Sequence, residues 1–198
     1  MPRDTGAAWR GYSSSTLMAV DVERTARGAL AGAVAAGVWA AQSPMDCRVF
    51  GVPYLDEELL GKAVTRGPAW RGVGLALHVF NGAVFGAVYA SIAPRLPLPA
   101  WARGPAAGIA EHLAGWPLTV LADRFHPARD ELPSLAGNGR AFAQATWRHL
   151  LFGVVLGELE RRLRRPEGPS VADGAPAQSS NGHGDIRRAA GVGGASAG

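Results

Sequence analysis

Four apolar stretches alternate with polar connections along the chain, and each predicts a membrane-crossing helix. The clearest is residues 72–94, which are 23 residues without a formal charge between Arg71 and Arg95. At about 1.5 Å per residue, a helix of this length spans roughly 33 Å, close to the thickness of a bilayer hydrocarbon core. Trp70 and Tyr89 lie near its two ends, where aromatic side chains anchor a helix at the membrane–water interface.

The other three stretches are less uniform. Residues 28–41 are rich in Gly and Ala and reach membrane-spanning length only when extended through Pro44 to Asp46. Residues 104–122 form the third stretch, in which Pro117 predicts a kink, and residues 141–163 form the fourth. Between the first two, residues 55–64 have the spacing of a short amphipathic helix on the membrane surface.

Motifs in the first half of the chain recur in the same order in the second half, which predicts a duplicated hairpin. The pattern R-G-x-x-A-G occurs at residues 27–32 and 103–108, and H-x3-G-x3-G occurs at residues 78–86 and 149–157. A tryptophan also precedes an aspartate by seven positions in both halves. Two spans per repeat make both repeats enter the membrane from the same side, with a pseudo-twofold axis along the membrane normal.

We therefore expect an all-α integral membrane four-helix bundle built from two tandem helical-hairpin repeats. The bundle covers residues 24–163, with repeat one at about 27–95 and repeat two at about 103–163. The polar N-terminal residues 1–23 and the Gly-, Ala-, Ser- and Pro-rich residues 166–198 are predicted to be disordered. Lys and Arg flanking the spans number twelve on the side of the termini and seven on the other side, so both termini are expected in the cytoplasm.

Small residues repeat at four-residue spacing on every predicted helix. Such faces let helix backbones approach closely in lipid, either within one chain or between copies in a homo-oligomer. The helix-packing candidates are Gly28, Gly32, Gly82, Gly86, Gly104, Gly108, Gly153 and Gly157.

Glu111 and Arg148 are charged residues that fall well inside predicted spans. A charge at the centre of a membrane helix costs about 2.5–3.5 kcal/mol on insertion scales and usually has a partner inside the bundle. We expect the two side chains to pair, because antiparallel third and fourth helices place them at similar depths. The pair is either a structural ion pair that fixes helix register or part of a proton or ion path.

Histidines and aspartates occupy equivalent positions in the two repeats. His78 and His149 are expected at equal depth, and Asp46 and Asp123 at the outer ends of their helices, so that each hairpin pairs an Asp with a His. The histidines either pin the packing, form a pH-sensitive cavity open to the outside, or ligate a metal or haem. His112, beside Glu111, is a candidate for the same cluster.

Composition narrows the function classes. The net charge is +4 and the pI is about 10.0. The arginines flank apolar runs and do not form a basic helix interleaved with aromatic residues, so nucleic acid is not an expected partner. The single cysteine, Cys47, excludes an internal disulfide and a cysteine zinc motif. Neither GxSxG, HExxH nor a P-loop is present, so no catalytic residue and no enzymatic activity are predicted.

The R-G-x-x-A-G opening, the Pro44-x-Asp46 helix end and the H-x3-G-x3-G helices resemble the YagU-like family of uncharacterised small bacterial inner-membrane proteins with four spans. The resemblance covers about residues 24–163. It implies a multi-pass protein of the inner membrane and assigns no chemistry.

The leading hypothesis is a non-enzymatic protein of the lipid bilayer that binds or conducts a small solute or proton through its polar cluster. The solute is not identified by the sequence, and no cofactor is expected. Two alternatives remain: a scaffold that oligomerises through the GxxxG faces, and a haem or transition-metal carrier that uses His78 and His149.

Overall fold

A computed structural model of the chain describes residues 21–164, and all regular structure in that range is helical, which confirms the predicted all-α class. Short 3-10 turns at Ala93–Arg95, Trp116–Leu118 and Arg129–Glu131 follow or separate the α-helices. The α-helices are α1 (Val22–Phe50), α2 (Asp56–Val64), α3 (Trp70–Ile92), α4 (Ala100–Gly115), α5 (Thr119–Phe125) and α6 (Gly139–Leu163).

Helix α1 is longer than its apolar run predicts. The Asp21 carboxylate caps its first turn by accepting from the Arg24 backbone N–H at 2.9 Å. Gly51, with φ of 68°, ends it in the left-handed conformation that glycine adopts without strain. The predicted disordered segment 1–23 was therefore too long by the residues of this cap. The remainder of that segment, and residues 166–198, lie outside the described residues.

Pro44 lies inside α1, whereas Pro117 interrupts the third predicted span. At Pro117 the helix is replaced by the 3-10 turn Trp116–Leu118, so that α4 and α5 stand where a single kinked helix was predicted. Proline removes a backbone donor and crowds the preceding turn, which accounts for the interruption. The helices predicted from the second, third and fourth apolar stretches, and the short helix before α3, otherwise lie where the hydrophobic pattern predicts them.

The predicted packing glycines make close helix contacts in both halves of the chain. In the first half α1 packs on α3, where a Cβ on Gly32 would overlap the carbonyl oxygen of Gly82. In the second half α4 packs on α6, where a Cβ on Gly104 would overlap the carbonyl oxygen of Gly153. The remaining four predicted packing glycines lie in the same two contacts: Gly28, Gly86, Gly108 and Gly157. An added Cβ would overlap a carbonyl oxygen at the first three and would be a tight fit at Gly157.

The two halves meet along one seam and stay apart along the other. Helix α1 packs on α6, and Trp39 of α1, Tyr89 of α3 and Leu156 of α6 belong to one buried apolar cluster. A strict twofold relation would make α3 pack on α4 in the same way, but these two helices have no extensive contact. Helix α2 packs on α3 instead, through the close approach of Gly61 and Gly74.

Many large apolar side chains lie on the surface of the long helices, while several polar and charged side chains are buried. Apolar side chains such as Phe80 (62% exposed), Leu113 (55%) and Val154 (48%) face outward on the long helices. The largest side chain with less than 2% exposure is the guanidinium-bearing Arg148. Within the described range, Trp70–Arg95 is the one segment long and apolar enough to cross a membrane, with a mean hydropathy of 1.6.

Candidate functional site

Arg148 is the centre of a buried ion cluster between α6, α1 and α2. Its side chain is inaccessible, and it donates to both oxygens of Asp46, at 2.7 Å from Nε and 2.5 Å from a terminal nitrogen. Its other terminal nitrogen donates to Asp56 at 2.8 Å, and the Tyr54 carbonyl oxygen accepts a further bond at 2.8 Å. One planar cation thus joins two carboxylates, which suits the fork geometry of guanidinium.

Neutral donors complete the coordination of the carboxylates. Gln144 of α6 donates to Asp46 at 2.7 Å, and Gln42, one turn before Asp46 on α1, donates at 2.6 Å. The Trp39 indole N–H donates to Asp56 at 3.0 Å, and the Tyr54 hydroxyl donates to the other oxygen of that carboxylate. Burial, with the Asp56 carboxylate beside it, raises the pKa of Tyr54 well above its usual range, so the hydroxyl keeps the proton that it donates.

A second polar group joins α4 to α6. Nε2 of His149 lies 2.6 Å from Oε2 of Glu111, and Nδ1 of the same ring lies 2.7 Å from the Ala145 carbonyl oxygen. The imidazole of His149 therefore bridges the Ala145 carbonyl oxygen and the Glu111 carboxyl group. His112 is buried beside this pair, with its ring centroid 4.8 Å from that of His149 and its Nε2 3.0 Å from the Thr146 hydroxyl.

Trp39 lies between the two repeat-related histidines. Its ring contacts His78 edge-on with centroids 5.2 Å apart and His149 with centroids 4.6 Å apart. The two imidazoles therefore lie in the same region, as their equivalent positions predict, but the indole lies against both. His78 is 8% exposed, and its Nε2 has no hydrogen-bond partner among the described residues.

A groove of about 550 Å³ opens along the seam where α3 and α4 do not meet. Helices α1 and α6 contribute Trp39 and His149 to its lining, and α4 contributes Glu111. Along α3 the lining runs from His78 to Val88, and at the α2 end it includes Asp56. The groove thus connects the histidine region, the Glu111 carboxylate and the edge of the buried ion cluster.

Two predicted pairings are wrong. Glu111 does not pair with Arg148: it contacts His149, and its side chain is half exposed, while Arg148 is saturated by Asp46 and Asp56. The predicted pairing missed the connection after α1, which folds back and places Asp56 beside the guanidinium.

Neither hairpin pairs its aspartate with its histidine. Asp46 binds Arg148 and two glutamine side chains. Asp123 organises the connection before α6 instead, accepting from the Ser134 hydroxyl at 2.7 Å and from the Ala136 backbone N–H at 2.9 Å. The two aspartates occupy equivalent sequence positions but have different structural roles.

Several residues of the site were missed by the sequence reasoning. Asp56 was predicted only as part of the short amphipathic helix at residues 55–64, and Trp39 only as the tryptophan of the repeat motif. His126, which lies 2.9 Å from the Leu59 carbonyl oxygen and accepts from the Ala128 N–H, links the two connections and had no signal in the pattern. Gln144 could have been noticed, because it is a polar residue one turn before Arg148 on an otherwise apolar face.

A metal centre would need several ligating side chains in one place. Within residues 21–164, no three His, Cys, Asp or Glu side chains converge in a way that could hold a metal ion.

Comparison with known proteins returned no matching protein-family model, no matching curated protein and no matching solved structure.

Proposed function

We propose that the protein is a multi-pass integral membrane protein whose α3–α4 groove binds a small solute. The observation that carries the membrane part is that an ion cluster is buried inside the bundle while many large apolar side chains face outward. Only 33% of the apolar window in α3 is buried by the rest of the chain, whereas the core helix of a soluble protein is mostly buried. Lipid is the solvent that such a surface requires.

The proposed topology has four spans: α1, α3, α4 with α5, and α6. Helices α1 and α6 carry charged residues that lower their mean hydropathy, but Asp46 and Arg148 neutralise each other inside the bundle and do not face lipid. Both termini are placed in the cytoplasm on the positive-inside argument, with the protein in the inner membrane. The resemblance to YagU-like proteins supports this location.

The binding part of the proposal rests on the groove. It is mostly apolar, is of the size of small-molecule sites, and contains a few polar groups that converge from four helices. Glu111 is half exposed at its edge, and the buried Nε2 of His78 lacks a partner among the described residues. A bound molecule with a polar group would satisfy both.

The two alternative functions, a scaffold and a haem or metal carrier, have less support than the binding of a small solute. The glycine faces expected to drive oligomerisation are occupied by contacts within the chain, so a scaffold would need other surfaces. A haem or metal held by His78 and His149 would have to displace the Trp39 ring, which contacts both imidazoles.

Membrane integration is tested by fractionation. The protein should remain in the membrane pellet after an alkaline carbonate wash and enter solution only with detergent. Release by carbonate would contradict the proposal.

Access to the groove is tested by labelling single cysteines in a Cys47→Ser background. Asn81→Cys lies in the groove, and Val38→Cys lies outside it on the exposed face of α1. A thiol reacts as the thiolate, which forms in a wet polar groove but not in lipid. Asn81→Cys should therefore react with N-ethylmaleimide much faster than Val38→Cys, and equal rates would contradict a solvated binding groove.

A further inference from the structure

The formal charges that line the groove are all negative. Asp56 and Glu111 are its charged residues, and neither lysine nor arginine contributes to its lining. Arg148 lies behind the wall, inaccessible and saturated by two carboxylates and a carbonyl oxygen. The groove therefore offers no cation to a phosphate or carboxylate ligand.

The two carboxylates differ in availability. Asp56 is 17% exposed and already accepts from Arg148, Trp39 and the Tyr54 hydroxyl. Glu111 is 50% exposed and has one partner among the described residues, the His149 imidazole. A half-exposed carboxylate on a membrane-depth helix is costly unless a charge of opposite sign comes to it. Glu111 is thus the group able to receive a cationic ligand.

Aromatic rings form much of the remaining wall. Trp39, Phe80, Phe85 and Phe152 all line the groove, and Phe80 is 62% exposed at its edge. The faces of such rings attract cations, more strongly where water is excluded, and their bulk binds apolar groups. An acidic and aromatic lining without lysine or arginine is the chemistry that recognises an apolar cation.

We propose that the solute of the groove is a lipophilic cation, such as a hydrophobic amine or a quaternary ammonium compound, with Glu111 as its counter-charge. This inference rests on the proposed binding function and names its ligand class. The cation enters between α3 and α4, places its apolar groups against the aromatic wall and its charge near the Glu111 carboxylate. Anionic amphiphiles of the same size are excluded by the same carboxylates.

The test uses three probes of similar bulk and different charge: tetraphenylphosphonium, triphenylphosphine oxide and tetraphenylborate. Binding is measured by equilibrium dialysis on the full chain in phosphatidylcholine nanodiscs, with empty nanodiscs subtracted. Tetraphenylphosphonium should bind saturably, the neutral oxide more weakly, and the borate not at all. Glu111→Gln should weaken phosphonium binding by about tenfold, the scale expected for loss of one charge partner.

The control is Glu158→Gln, which removes the same charge at a residue that pairs with Arg161 and Arg162 and does not line the groove. It should leave phosphonium binding within about twofold of the parent. If phosphonium and the oxide bind equally and Glu111→Gln changes neither, the cation proposal is overturned while groove binding stands. If no probe binds saturably, the cation proposal also fails, and the Asn81→Cys labelling decides separately whether the groove itself exists as a solvated site.

Discussion

The Arg148 guanidinium and the Asp46 carboxylate form an ion pair with two hydrogen bonds. The two residues lie on different helices and are 102 positions apart in the chain. The pair joins α6 to α1, and Asp56 extends it to α2. Because every polar atom of the guanidinium has a partner, the charge is tolerated in an interior without water. The cluster therefore fixes which helices of the two halves are neighbours.

Removing the guanidinium should be among the most damaging changes in the chain. Arg148→Ala leaves two buried carboxylates without their cation, a loss of about 3–5 kcal/mol of unfolding free energy. Arg148→Lys keeps the charge but not the fork, so an intermediate loss is expected. Thermal unfolding of the detergent-purified protein measures both. Arg162→Ala, at a 70% exposed site, is the control, and equal effects of Arg148→Ala and Arg162→Ala would contradict a structural role for the cluster.

The glycine contacts predict opposite effects for two alanine substitutions on the same helix. A Cβ on Gly32 would overlap the Gly82 carbonyl, so Gly32→Ala should cost about 1–3 kcal/mol by separating α1 from α3. A Cβ on Gly37 meets nothing within 4 Å, so Gly37→Ala should be neutral or stabilise the helix by up to about 1 kcal/mol. Thermal unfolding of the two variants should therefore shift in opposite directions or differ clearly in size, and a matching loss in both would refute the contact.

Acid should loosen the contact between the two polar connections. Hydrogen bonds from Lys62 and then Arg66 lower the pKa of Glu131 to about 2. A carboxyl group whose pKa is lower in the folded state stabilises it above the unfolded pKa of about 4.3 and loses that contribution as the pH falls toward 2. The melting temperature should therefore fall between about pH 4.5 and 2, and this part of the fall should be absent in Glu131→Gln.

Asp130→Asn is the matched control for that titration. Asp130 is 80% exposed and lies outside the contact with Lys62. Its variant should keep the acid dependence of the parent protein. If Glu131→Gln and the parent protein lose stability in parallel over this range, the contact contributes nothing measurable.

Topology can be measured with an alkaline phosphatase reporter, which is active only outside the cytoplasm. Inserted at Gly67, in the connection between α2 and α3, the reporter should be active, and fused after Gly198 it should be inactive. The expectation follows from the excess of basic residues on the side of the termini. Activity at the C-terminus would reverse the proposed orientation, and activity at both positions would rule out an odd number of spans separating them.

Local pattern was sufficient to predict the helices and the glycine contacts. A helix that packs in the bundle or faces its apolar surroundings needs apolar side chains over several turns. Hydrophobic runs in the sequence therefore indicate where the helices lie. The spacing of Gly28, Gly32, Gly82 and Gly86 marks a contact because only residues without a side chain permit such close backbones. Both signals lie within a single helix and are therefore readable from the sequence.

The partners of Arg148 were not predictable in the same way. Asp56 reaches it only because the connection from Gly51 to Leu55 turns back over the end of α1, and no periodicity describes such a turn. Glu111 seemed the natural partner by depth alone, but depth does not specify which neighbour a helix faces. The choice between Asp56 and Glu111 depends on the packing of α6. It requires knowing that α1, rather than α4, lies against the face of α6 that carries Arg148.

An alignment of the two hairpins shows how the open α3–α4 seam differs from the closed α1–α6 seam. The counterpart of Arg148 in the first hairpin is Leu77, and Asp123, the counterpart of Asp46, is engaged by Ser134 and the backbone of its own connection. The two related seams therefore differ electrostatically: an ion pair joins α1 to α6, and among the described residues no counterpart joins α3 to α4. That difference leaves a lateral opening between α3 and α4, which is the route that the proposed solute would take.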